Sequence, residues 1–134
     1  MMTASEQHIL ARAFLRKAQE YLDSAEDNLV LERFTVASGD AVHAGICSKD
    51  AIVTALAGTT VKSKDHSRAV RELRNVLGGR PIASDAERCL RELVSAKSEV
   101  EYGTSLMSGP KSEALVRRAR TLVRTAKDIV VLRR

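Results

Sequence analysis

The sequence predicts an all-α fold, an antiparallel up-and-down bundle of about five helices in a single domain over residues 1–134. Only two Pro and seven Gly interrupt the chain, and no stretch shows the sustained alternation of apolar and polar residues that is typical of strands. Aromatic residues make up 3% of the chain and Trp is absent, so the core must consist mainly of Ala, Leu, Val and Ile. Such a core favours closely packed helices.

The first helix is predicted from about Ser5 to Leu31. Thr3 or Ser5 can cap its N-terminus, and Glu6 stands where a capping box with Thr3 requires an acidic residue. The expected inward face follows helical spacing over Leu10, Phe14, Ala18, Tyr21, Leu22, Ala25 and Leu29. The link to the next helix is short, which predicts that the second helix returns antiparallel to the first.

The second helix, predicted from Ala37 to Ala57, is expected at the centre of the bundle. Its small residues recur at intervals of 4, 3, 4, 3 and 4 and share one narrow seam: Ala37, Ala41, Ala44, Ser48, Ala51 and Ala55. Small side chains allow a neighbouring backbone to come close. Apolar residues cover most of the remaining circumference, so this helix should be buried. Gly58 is the expected C-terminal cap.

A polar strip interrupts this apolar surface and forms the first candidate ligand-binding site. Its residues recur at helical intervals of 3, 4 and 3: Asp40, His43, Cys47 and Asp50. His66, at the start of the third helix, is added to this candidate site. Three interpretations are open: a metal site, since His, Cys and carboxylate bind Zn²⁺; a ligand pocket without metal; or a contact with a loop, a helix or a second copy.

One helix rarely supplies a complete tetrahedral ligand set, and the paired Cys and His spacing of zinc sites is missing. We therefore predict no metal site and no cofactor. Cys47 lies one helical turn from His43, but a nucleophilic thiol would also need a lowered pKa, and nothing in the sequence predicts an oxyanion hole. We predict no catalytic residue on this strip.

Two shorter helices are expected to complete the core. The third is capped by Asp65 or Ser63 and ends at two consecutive glycines, Gly78 and Gly79. The fourth is predicted to begin at Ser84, which with a Glu at position 87 makes a second capping box. The segment YGTSLMSGP then forms a loop before the fifth helix.

The fifth helix begins near Pro110 and carries most of the positive charge. From Lys111 to Arg134 there are eight basic and two acidic residues, whereas the rest of the chain has 14 basic and 15 acidic residues. Four basic residues recur at intervals of 3, 4 and 3 on one face: Arg117, Arg120, Arg124 and Lys127. This basic stripe could follow a phosphate backbone and is the candidate nucleic-acid-binding surface. Solvation, or pairing with acidic residues of the bundle, is the alternative interpretation.

No hydrophobic run approaches the length of a membrane span, and the N-terminal residues lack the apolar segment of a signal peptide. The two cysteines, Cys47 and Cys89, both fall within helical patterns. We therefore expect a cytoplasmic protein that has reduced thiols and no membrane partner.

Four segments share an order and spacing with a known family: AQEYLDSAEDNL in the first helix, AVHAGICSKDAI in the second, DHSRAV opening the third, and EYG after the fourth. Together they resemble the HEPN superfamily of small helical bundles. The resemblance implies a homodimer whose ligand or partner is a nucleotide, RNA or a protein. The superfamily also includes metal-independent ribonucleases, and toxins that pair with nucleotidyltransferase antitoxins.

The nuclease members of that superfamily carry Arg and, after four to six residues, His. This spacing is absent here, since no Arg precedes His8 and the closest Arg before both His43 and His66 is Arg33. The resulting prediction is a non-catalytic HEPN-like binding or interaction module. The alternatives are a divergent ribonuclease or toxin that uses His43 or His66 with a neighbouring Arg, and a purely structural partner subunit.

Overall fold

The computed structural model describes residues 2–59 and 65–132, except for the side chain of His66. This part of the chain contains five helices and no strand: α1 (Ala4–Val30), α2 (Phe34–Ala57), α3 (His66–Leu77), α4 (Ala83–Tyr102) and α5 (Gly109–Leu132). The predicted all-α bundle is thus confirmed. None of these helices combines the length and the apolar character that a membrane crossing requires.

Helix α2 is the centre of the bundle, because it contacts each of the other four helices. Five of the six small residues predicted for its seam are fully buried, and Ala55 is partly buried. The approach of α4 is close, since a Cβ atom added at Gly45 would lie 2.6 Å from Cδ1 of Leu93. The largest fully buried side chains around this seam are Ile52, Leu73, Leu77, Leu90, Leu93 and Leu122.

Polar contacts at the two ends of the bundle define the directions of three long helices. At one end, the Gln7 side-chain amide donates to the backbone carbonyls of Thr54 and Ala55 at 2.9 and 3.1 Å, which satisfies two of the last carbonyls of α2. At the other end, the Ser112 hydroxyl donates to the Phe34 carbonyl at 2.9 Å. Helix α1 therefore runs antiparallel to α2, and α5 runs beside α2 in the same direction.

The predicted helix ends agree with the structure in most places. Thr3 caps α1 in a complete capping box with Glu6. Asp65 caps α3, whereas the alternative cap, Ser63, lies outside the described residues. Gly58 ends α2 with a φ of 84°, a left-handed conformation that favours glycine.

The predicted capping box of Ser84 and Glu87 is wrong. Ser84 lies inside the first turn of α4, and Ile82 at the N-cap position makes no side-chain cap bond. The Glu87 carboxylate instead accepts hydrogen bonds from Arg74 of α3 and from Arg91. The bond from Arg74 is the main reason why the pKa of Glu87 is lowered. An interhelical ion pair has therefore replaced the expected cap.

Two further details differ from the prediction. Helix α2 begins at Phe34 rather than at Ala37, because Phe34 packs against the core beside Gly109 of α5 and extends the helix by about one turn. Leu10 is exposed rather than inward, and its neighbour Ala11 is buried in its place. The buried residues of α1 are Ala11, Ala18, Leu22 and Ala25.

The Ser48 hydroxyl, fully buried in the α2 seam, has no hydrogen-bond partner among the described residues. We expect Ser48→Ala to raise the free energy of unfolding by about 1 kcal/mol, because it removes a desolvated hydroxyl and keeps the side chain small. The matched variant Ser112→Ala loses the bond to Phe34 and should lower that free energy by about 1 kcal/mol. Urea unfolding followed by circular dichroism measures both, and a destabilised Ser48→Ala protein would contradict this account.

Candidate functional site

Asp40, the first residue of the predicted polar strip, is held by α1. Its carboxylate accepts a hydrogen bond from the Ser24 hydroxyl at 2.6 Å and one from the Asn28 amide at 3.3 Å. A cleft of about 320 Å³ lies beside it and is lined also by Lys17, Glu20 and Tyr21. Because neutral donors of the neighbouring helix already satisfy Asp40, this end of the strip serves as an interhelical contact.

His43, the second residue of the strip, lies between α1 and α4. Its ring packs on Tyr21 with 5.1 Å between the ring centres, and its Nε2 atom lies 3.4 Å from Oε1 of Glu101. The imidazole side chain is 42% exposed. His43 therefore joins three helices at the surface and remains accessible to solvent.

Cys47 lies deeper between the helices and is buried. Burial raises the pKa of its thiol, and the nearby Lys17 ammonium acts in the opposite direction with a smaller effect. The second thiol, Cys89, is also buried and free, and burial raises its pKa as well. Since the thiolate is the reactive form, neither cysteine has the environment of a nucleophile at neutral pH.

Asp50, the last residue of the strip, belongs to a buried ion cluster that joins α2 to α3. The cluster is centred on Lys49, which is only 3% exposed. The Lys49 Nζ atom lies 2.6 Å from Oδ1 of Asp50 and 3.0 Å from Oε1 of Glu72. Lys49 is not among the residues predicted for the strip. Lys49 lies on a helix that is apolar around most of its circumference, which indicates that its ammonium is buried. A buried ammonium requires charged partners.

The structure thus does not gather the predicted strip into one pocket. Asp40 and His43 contact α1 and α4, whereas Asp50 turns towards α3. The His66 side chain lies outside the described residues. Within the described ranges, no group of three or more His, Cys, Asp and Glu residues is placed to hold a metal ion.

The basic stripe of α5 divides according to its partners. Arg120 forms an ion pair with Glu26 of α1 at 2.8 Å. Arg117 and Arg124 are exposed and make no ion pair with any described residue. Lys127 is also exposed and faces α1, where it lines a cleft. Three of the four predicted cations therefore keep their charge available to a ligand.

The cleft that Lys127 lines, called here the α1–α5 cleft, has a volume of about 330 Å³. It lies between the N-terminal half of α1 and the C-terminal end of α5. Its polar lining consists of His8, Arg12, Arg16, Gln19 and Lys127, and its apolar lining consists of Leu15, Val130 and Val131. No described carboxylate lines it. Arg12 and Arg16 are not among the residues predicted from the sequence, although their spacing of four residues places both on one face of α1.

Arg68 and Arg71 of α3 are exposed and form no ion pair with a described residue, whereas several other basic residues outside the cleft have acidic partners. Arg118 pairs with Glu92 at 2.5 Å, and Lys111 pairs with Glu99 at 2.8 Å. The same holds for Arg74, Arg88 and Arg91. By contrast, the three cations of the α1–α5 cleft form no ion pair with a described residue. This cleft is therefore a site where positive charge is concentrated without a described internal counter-charge.

Comparison with known proteins assigns no family, since the chain matches no family model and no curated protein at a significant level. Function must therefore be inferred from the surfaces themselves. Of these, the α1–α5 cleft combines concavity with unpaired charge, whereas the polar strip of α2 is occupied mainly by contacts between helices.

The buried ion cluster should be necessary for stability. We expect Lys49→Ala to lower the free energy of unfolding by about 3 kcal/mol, because two half-buried carboxylates then lose this buried ammonium. The control Lys111→Ala removes the exposed partner of Glu99 and should cost less than about 1 kcal/mol. Urea unfolding of both variants measures the difference. Equal effects would show that the cluster is not the stabilising contact we infer.

The two buried thiols should make stability decrease in alkaline solution. Because burial raises the pKa of Cys47 and Cys89, the unfolded chain releases their protons at a lower pH than the folded protein does. The corresponding stability is present below the ordinary thiol pKa of about 8.5 and is lost as pH rises above it. We expect the free energy of unfolding to fall less between about pH 8 and pH 10 in the double variant Cys47→Ala/Cys89→Ala. Identical pH profiles of variant and wild type would refute this.

Proposed function

We propose that this chain is a non-catalytic, HEPN-like binding module that uses α1 and α5 to bind the phosphate groups of RNA or of a nucleotide. The observation that carries the proposal is the convergence of Arg12 and Arg16 from α1 with Lys127 from α5 in a cleft that no described carboxylate lines. A concentration of Lys and Arg on one face is the electrostatic footprint of a nucleic-acid ligand.

Two cations of α5 extend this surface beyond the cleft. Arg124 and Arg117 are exposed on the same side of α5 as Lys127, and the helical rise places Arg117 roughly 15 Å from Lys127 along the axis. Arg120 lies between them but is already paired with Glu26. The proposed phosphate contacts are therefore Arg124, Arg117 and the cleft, with Arg120 contributing less.

The ligand should be recognised by charge rather than by base sequence. No aromatic side chain lines the α1–α5 cleft among the described residues, so the stacking platforms of sequence-tolerant single-strand binders are missing there. Binding that depends on phosphate contacts releases counterions and weakens as salt concentration rises. Strong salt dependence is thus the expected property of this module.

The HEPN-like part of the proposal is supported by segments of α1 and α2 that resemble the HEPN superfamily. The absence of the nuclease spacing of Arg and His supports a non-catalytic module. On the same resemblance we propose a homodimer, with a nucleotidyltransferase-type protein as a candidate partner. The free thiols of Cys47 and Cys89 support a cytoplasmic location, where thiols stay reduced.

Charge reversal on α5 tests the proposed surface. We expect Arg124→Glu with Lys127→Glu to weaken RNA binding at least about tenfold, because two phosphate contacts become repulsive. Electrophoretic mobility shifts of a single-stranded RNA at several salt concentrations measure this. Arg120 is left unchanged, because its reversal would place two carboxylates together at Glu26 and confound the result.

The matched control is Arg68→Glu with Arg71→Glu. It changes the net charge equally, but these exposed side chains lie on α3 and form no ion pair with a described residue. We expect its RNA affinity to stay within about threefold of the wild type. Equal losses in both variants would mean that only net charge matters, and an absence of RNA binding by the wild-type protein would refute the proposed function.

A further inference from the structure

The α1–α5 cleft has two distinct walls rather than a uniformly basic surface. Arg12 and Arg16 extend from successive turns of α1, and Lys127 reaches the cleft from α5. Three apolar side chains also line the cleft: Leu15, Val130 and Val131. Val131 is 41% exposed, so part of its side chain is accessible to a ligand in the cleft. The cleft thus offers a cationic rim and an apolar floor together.

The number of cations at the rim favours a doubly charged phosphate. A diester within a nucleic-acid strand carries one negative charge, whereas a phosphomonoester carries about −1.5 to −2 at pH 7 and has three strong acceptor oxygens. Two guanidinium groups can each donate a pair of parallel hydrogen bonds to such oxygens, and the Lys127 ammonium adds a third donor group. Three cations converging on one cleft therefore match a terminal phosphate better than an internal one.

The apolar floor favours a phosphate that is attached to a flat, partly apolar group. A nucleoside could cover Leu15 and Val131 while its phosphate stays at the rim. Guanidinium planes such as that of Arg16 also stack on nucleobases, and this contact tolerates any base. Inorganic phosphate would use the rim but leave the floor exposed to water.

We propose that the α1–α5 cleft binds a terminal phosphomonoester of a nucleotide, either the 5′-phosphate end of an RNA strand or a free nucleoside monophosphate. Arg12, Arg16 and Lys127 hold the phosphate, and the nucleoside packs on Leu15 and Val131. This inference deepens the proposed function and rests on it for the RNA arm. It adds a chemical end-group preference that a merely basic surface would not have.

The test compares two short RNA strands that differ only in a 5′-phosphate or a 5′-hydroxyl, each labelled with fluorescein at the 3′ end. Fluorescence anisotropy at constant salt gives both dissociation constants. We expect the phosphorylated strand to bind about tenfold more tightly, as one additional charge-assisted contact of ordinary strength would provide. Unlabelled AMP should compete for the phosphorylated strand, inorganic phosphate should compete more weakly, and adenosine should not compete.

Two matched variants locate the preference. Arg12→Ala with Arg16→Ala should abolish the difference between the two strands, and both residues make no ion pair with a described residue, so the fold should survive. Arg68→Ala with Arg71→Ala removes two exposed arginines of α3 and should keep the difference. Circular dichroism verifies that both variants are folded.

The possible outcomes separate this inference from the proposed function. Equal, salt-sensitive binding of both strands would overturn the end-group preference and leave the RNA-binding proposal supported. A preference that persists in Arg12→Ala/Arg16→Ala would overturn the assignment to this cleft. If neither strand binds, the proposed RNA function fails. In that case, direct calorimetry with AMP decides whether the cleft still takes a nucleoside monophosphate or takes nothing.

Discussion

The small side chains on the seam of α2 determine how close the other helices can come. Ala41, Ala44 and Ser48 are fully buried, and at Gly45 even a methyl group would crowd Leu93 of α4. A helix that contacts four neighbours cannot carry large residues on every side, because the spaces between helix axes are too narrow. These small residues therefore allow neighbouring helices to pack closely against α2, as α4 does at Gly45.

The burial of α2 at the centre of the bundle also explains why its polar residues bind partners on neighbouring helices. A carboxylate or an ammonium on a buried helix must find a partner, since an isolated charge in the interior is costly. Asp40 finds neutral donors on α1, and Asp50 shares Lys49 with Glu72 of α3. These contacts attach α2 to two of its neighbours. A strip that looks like a site in sequence is thus used mainly to fix the packing.

The features that the sequence predicted correctly are those that depend on one helix at a time. The α2 seam and the caps at Thr3 and Gly58 follow from spacing and local backbone chemistry. The missed features depend on which faces meet. Ser84 is not a cap because α4 begins at Ala83, and Glu87 instead pairs with Arg74 of another helix. In the same way, Lys49 is explained only once Glu72 is known to lie beside it.

The α1–α5 cleft could not be predicted, because its charge depends on how two helices with uneven charge distributions pair. Helix α1 is acidic in its second half and basic in its first half, whereas α5 is basic along most of its length. Antiparallel pairing places Glu26 against Arg120 at one end and leaves Arg12 and Arg16 facing Lys127 at the other.

Like charges that face each other across a cleft repel, and water and salt screen this repulsion only in part. A bound anion would remove the repulsion, and its binding energy would add to the stability of the folded state. The fold therefore tolerates repulsion between cations at one end of the α1–α5 helix pair, whereas at the other end Glu26 neutralises the charge of Arg120. That asymmetry between two ends of the same helix pair is what distinguishes the cleft from an ordinary solvated basic face.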